Sequence, residues 1–183
     1  MAEKIADAPI LILPGINNSG PAHWQTLWEH ALPGARRVQA RDWDNPDRTS
    51  WVLNLDVAVA ACSEPPVLVA HSLGCLQVAH WSATSDRTVR GALLVAPPDP
   101  NGPVFPAPDG WGFRPLPTRR LPFRSVLIAS TNDPFGSAEF TRRCADTWGS
   151  QFADAGPLGH INADSHLGTW EEGRAWLDRL RFE

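Results

Sequence analysis

Residues 67–75 read Val67-Leu68-Val69-Ala70-His71-Ser72-Leu73-Gly74-Cys75, and this stretch decides the architecture. Its first four residues form a continuous apolar run, the pattern of a central strand covered on both faces. A helical pattern begins directly afterwards, over residues 73–84, so the chain must bend sharply at His71-Ser72. A strand that runs through a tight bend into a helix holds the hydroxyl at the bend clear of both elements. Small residues two positions to either side let the helix and the backbone approach closely. The usual pattern is G-x-S-x-G; here Ala70 replaces the first glycine and Gly74 keeps the second. A serine in this place either caps the helix or acts as a nucleophile, and its partners elsewhere in the chain decide between the two.

Outward from this bend, short apolar runs alternate with helix-length segments. Strands are expected over residues 9–13 (PILIL), 91–96 (GALLVA), 125–130 (SVLIAS) and 150–155, with a weak polar edge strand over 36–40. Helices are expected over 21–32, 50–62, 138–148 and 169–180. About six mostly parallel strands with helices on both faces make an α/β fold in one domain spanning residues 1–183. One segment departs from the alternation: residues 97–122 hold nine prolines, half of the chain's 18, together with Phe105, Trp111 and Phe113. Proline fixes φ and removes a backbone donor, so neither helix nor central strand survives there. That segment is either a stiff surface connection or a loop that walls a pocket.

Composition narrows the function classes. Lys+Arg 16 against Asp+Glu 20 gives a net charge of −4, without a basic cluster, which argues against a nucleic-acid platform. No apolar run approaches a membrane span, and residues 1–4 lack the basic flank of a secretory signal, so a cytoplasmic protein is the expectation. The three cysteines, Cys62, Cys75 and Cys144, are scattered, which suggests neither a disulfide framework nor a metal site. Neither a G-x-G-x-x-G nor a Walker pattern occurs, so no nucleotide cofactor is expected.

A serine hydroxyl attacks only when a base takes its proton and a third group orients that base. In a fold of this kind the acid and then the histidine follow the serine in chain order. Asp133, in Thr131-Asn132-Asp133-Pro134, follows the strand expected at 125–130, and Pro134 keeps it out of helical geometry. Among six histidines, His160 lies closest to the end of the last expected strand, with His166 its rival in the same loop. His71 should point away from Ser72. Two backbone amides should face the developing oxyanion: Leu73 at the helix start, and Ile16 or Asn17 after the first strand, where Pro14 cannot donate. Asn17, His23, His71, Trp111, Phe135 and His166 are the candidate pocket lining.

Five segments together resemble the small α/β-hydrolases of the retinoblastoma-binding protein 9 (YdeN-like) family over nearly the whole chain. They are LPGINNSGPAHW (13–24), RDWDNPDRTSWV (41–52), VLVAHSLGC (67–75), ASTNDPF (129–135) and GHINADSHLGTWEEG (159–173). The resemblance implies a minimal α/β-hydrolase without a cap domain, and a serine hydrolase that uses no cofactor. It places the nucleophile on Ser72, the acid on Asp133 and the base on His160. The expected substrate is a small ester or amide. The alternative is a non-catalytic module of the same fold that uses the pocket or residues 97–122 to bind a protein partner. The name-giving member carries an LxCxE motif; here the stretch is Ala60-Ala61-Cys62-Ser63-Glu64, without the leading leucine, so that partner is not implied. His166 also stands where relatives usually have glycine.

Overall fold

The strand runs at 10–13, 67–70 and 91–95 are apolar at every position rather than alternating, which suits a sheet buried on both sides. The computed structural model describes residues 8–107 and 109–182; the reading of residues 1–4 lies outside them. Strands β1 (Ile10–Leu13), β2 (Ala35–Arg37), β3 (Val67–His71), β4 (Gly91–Val95), β5 (Arg124–Ala129) and β6 (Gln151–Asp154) form one sheet. Its order is β2-β1-β3-β4-β5-β6 and every pairing is parallel.

Five α-helices cover it: α1 (Trp24–Ala31), α2 (Arg48–Ala60), α3 (Leu73–Thr84), α4 (Ala138–Trp148) and α5 (Glu171–Phe182). Successive strand side chains point to opposite faces. Leu11, Leu13, Leu68, Ala70 and Leu94 therefore pack with Trp51, Leu55, Leu76 and Trp148 from α2, α3 and α4. Ile10, Ile12, Val67, Val69 and Ile128 pack with Trp24, Trp28, Leu177 and Leu180 from α1 and α5.

Element boundaries shift by a few residues from the sequence expectation. The first helix begins at Trp24 rather than Pro21, because His23 is extended (φ −76°, ψ 137°) and its side chain accepts from the Gln25 amide. The edge strand is only three residues long and half-exposed. Among the described residues of 97–122 there is no strand and only a short 3-10 turn over Gly110–Gly112. Phe113 anchors that segment, fully buried against the ring of Trp51, while its carbonyl lies 3.0 Å from His80 Nε2.

The order of strands also locates the site. From β1 the chain first moves outward to β2 and then returns to the other side of β1 as β3. The loops leaving β1 and β3 therefore diverge, and such a switch point opens a crevice at the carboxyl ends of the strands.

Candidate active site

Ser72 sits at that crevice, between β3 and α3. Its backbone is left-handed (φ 54°, ψ −125°), a conformation that non-glycine residues rarely hold. The bend is possible because its neighbours are small. A Cβ on Gly74 would run into the Leu13 carbonyl oxygen and lie 2.9 Å from that of Pro14. One on Gly15 would sit 2.7 Å from Ser72 Cβ. Although Ser72 occupies the position before the helix, its side chain caps nothing. Its Oγ lies 2.8 Å from His160 Nε2 instead.

The opposite nitrogen of His160, Nδ1, is 2.9 Å from both carboxylate oxygens of Asp133. An ionised carboxylate only accepts, so Nδ1 carries the proton and Nε2 turns its lone pair to the Ser72 hydroxyl. The Asp133 side chain is 0% exposed, and its Oδ1 also accepts from the Phe135 amide at 2.9 Å. Pro134 thus sits inside a tight turn that folds the carboxylate back over the strand ends.

The histidine loop is fastened by Asn132, Ser130, Trp24 and His71, of which only His71 is a sequence candidate for the pocket lining. Gly159 donates to Asn132 Oδ1 at 2.6 Å, and Leu158 donates to Ser130 Oγ at 2.9 Å. The Trp24 indole donates to the Ile161 carbonyl at 2.8 Å. His71 Nε2 lies 2.8 Å from the His160 carbonyl, which requires the proton on that nitrogen. Asn132, Ser130, Trp24 and His71 lie within the quoted segments, but their partners stand 27, 28, 137 and 89 residues away, and pairwise spacing in a sequence carries no such signal. Asn162 fastens the loop locally, accepting from the Asp164 amide at 3.0 Å.

A cleft of about 280 Å³ opens onto Ser72 and His160. Ile16, Asn17, His23, His71, Trp111 and Phe135 all line it. The Asn17 amide donates to the Trp43 carbonyl at 2.9 Å, and Ile16 and Leu73, the first residue of α3, both line the cleft. His166 does not line the cleft. It is solvent-exposed and left-handed (φ 52°) where it ends a 3-10 turn, a geometry that a glycine would adopt without strain.

Three imidazoles stand in a row here. The His23 and His71 rings are 4.7 Å apart, and those of His71 and His160 are 4.9 Å apart. Burial, then the charges of Arg37 and His160, bring the His23 pKa down to about 4. Burial likewise holds His71 well below the usual histidine range, followed by the charges of His160 and His23. Both are therefore neutral near pH 7. A larger, more open groove of about 1140 Å³ runs along α2 and the end of α3, where the Ser85 hydroxyl donates to Asp56 Oδ1 at 2.7 Å. Among the described residues, no group of three or more His, Cys, Asp or Glu is placed to hold a metal ion. No helix among them is long and apolar enough to cross a membrane.

Residues 10–179 match the serine hydrolase family. The chain belongs to that family. A YdeN-like hydrolase from Pectobacterium atrosepticum is similar at 31% identity and a TM-score of 0.85, covering 96% of this chain and 91% of its own. The ydeN gene product of B. subtilis shares the fold at 18% identity and a TM-score of 0.78, over 94% of this chain and 98% of that one. A monoacylglycerol lipase from Paleococcus ferrophilus shares it at 15% identity and a TM-score of 0.68, over 95% of each chain. No curated protein matches the sequence. The α/β-hydrolase architecture of this serine hydrolase is the one expected from its sequence, and the described residues include no cap domain over the sheet.

Proposed function

We propose that this serine hydrolase acts as one domain and cleaves a small ester or amide by acyl transfer through Ser72. The observation that carries the reading is the continuous chain of contacts from Asp133 through His160 to Ser72, with 2.9 Å on one side of the imidazole and 2.8 Å on the other. His160 Nε2 takes the hydroxyl proton as Ser72 Oγ attacks the scissile carbonyl. The tetrahedral oxyanion lies against the amides of Leu73 and Ile16. Collapse breaks the bond to the leaving group, which departs with the proton from His160 and leaves an acyl ester on Ser72. Water, deprotonated by the same imidazole, then releases the acid and restores the hydroxyl. Asp133 keeps the proton on Nδ1 and stabilises the imidazolium of each transition state.

Esterase and lipase relatives of the same fold support ester substrates, an esterase from Rhodococcus sp. among them at 15% identity. The resemblance to retinoblastoma-binding protein 9 rests on the quoted sequence segments alone. A fluorophosphonate probe tests the assignment. Wild type should label and Ser72→Ala should not, and turnover of p-nitrophenyl butyrate should fall by about 10⁴-fold or more in that variant. Equal labelling of the two proteins removes Ser72 from the role. Absence of labelling in both, with no ester turnover, favours the binding-module alternative.

A further inference from the structure

The walls of the cleft bear on which substrates enter it, an argument that rests on the acyl-transfer reading above. Pro98, Phe105, Pro106 and Trp111 from the proline-rich segment form an apolar side together with Phe135. The Phe105 and Trp111 rings meet edge to face at 5.7 Å, and the Phe135 ring lies 4.6 Å from that of His160. Besides Ser72 and the histidines His23, His71 and His160, the polar side chains of the lining are the neutral amides Asn17, Asn18 and Asn162. Among the described residues, no Asp, Glu, Lys or Arg lines the cleft. The Asp133 carboxylate behind His160 is 0% exposed and engaged by that imidazole, and Asp109, outside the lining, accepts from the Trp111 amide at 3.0 Å. His23 and His71 add no charge near pH 7, because burial disfavours their cationic forms.

We propose that the site accepts uncharged esters with a compact apolar acyl arm and rejects acyl groups that carry a charge. An ionised carboxylate that leaves water here meets no countercharge, and the faces of aromatic rings are themselves negative. A cleft of about 280 Å³ lies at the lower end of the range for small-molecule sites, which keeps the arm short. Within that limit each buried methylene adds transfer free energy equivalent to about a fourfold gain in kcat/KM.

Matched esters test this on the wild-type protein, so no variant has to fold. In p-nitrophenyl hemisuccinate a carboxylate replaces the terminal isopropyl group of p-nitrophenyl 4-methylpentanoate at nearly the same shape. The hemisuccinate should show kcat/KM lower by about 100-fold or more; a smaller ratio overturns the proposal. The p-nitrophenyl ester of 4-(trimethylammonio)butanoate should likewise be poorer than that of 5,5-dimethylhexanoate. A preference for the ammonium ester, drawn by the rings, also overturns it. Ser72→Ala run on the same esters separates the two levels. Charged esters cleaved well in a Ser72-dependent reaction defeat the selectivity alone, whereas hydrolysis that survives the substitution defeats the acyl-transfer reading and the selectivity with it.

Discussion

Acid should loosen this protein through His23 in a pH window where carboxylates take little part. In the unfolded chain an imidazole titrates near 6.5, whereas in the fold burial, Arg37 and His160 bring His23 to about 4. Between those values the unfolded state binds one proton more than the native state, so stability rises with pH and is lost on acidification. The slope reaches about 1.4 kcal/mol per pH unit, and the difference between pH 7 and pH 5 amounts to about 2 kcal/mol from this one residue. His23→Asn isolates it. An asparagine oxygen takes over the bond that His23 Nδ1 now accepts from the Gln25 amide at 3.1 Å, so the start of α1 keeps its cap. Loss of the ring contacts with Trp24 and His71 lowers stability at every pH without changing the slope. Urea unfolding followed by tryptophan emission at pH 7, 6 and 5 measures both proteins. The variant should lose about 2 kcal/mol less than wild type over that interval, since His71 is present in both. Parallel stability curves would refute the argument that a neutral, buried His23 is part of the folded state.

Two further expectations follow from close approaches and burial. In Gly15→Ala the new methyl would stand 2.7 Å from Ser72 Cβ and 3.1 Å from its Oγ, so ester turnover should drop by about 100-fold or more while unfolding shifts by only about 1–3 kcal/mol; an active variant would show that the β1 loop can retreat. Thiol titration at pH 8 should find one reactive cysteine in the native protein and three in guanidinium. Burial raises Cys75 well above the usual thiol range and Cys144 to about 12, whereas Cys62 is only half-buried. A second thiol that reacts rapidly in the native state would contradict the packing around α3 or α4.

Much of the architecture was readable because the four central strands are continuous apolar runs between proline or glycine stops. Val67–His71 and Gly91–Val95 are buried at every position, a pattern that a surface element cannot sustain. The edges were less legible. In β2, Ala35-Arg36-Arg37 is polar and held by pairing to Ile10, Leu11 and Ile12, so its ends depend on a neighbour rather than on its own residues. The candidate site divides the same way. Ser72 directly follows β3, whereas Asp133 and His160 lie four and six residues past the ends of β5 and β6, so chain order narrows the choice and the family resemblance completes it. The anchorage of the histidine loop to Asn132, Ser130 and Trp24, and the contact between His71 and the His160 carbonyl, arise from tertiary packing and leave no local mark. His166 was a rival by proximity alone; its left-handed backbone turns it out to solvent.

The proline-rich segment has one more consequence. In the proposed mechanism every bond-making group stands on turns fixed by the sheet, whereas the rings of Phe105 and Trp111 hang on a stretch whose described residues belong to no strand and which is pinned downstream by Phe113. Reagent and selector are therefore carried on separate pieces of chain. Exchanging the stretch between Pro98 and Gly112 offers a way to retune what is admitted while the machinery beneath stays in register, and substrate range can diverge among relatives faster than chemistry does.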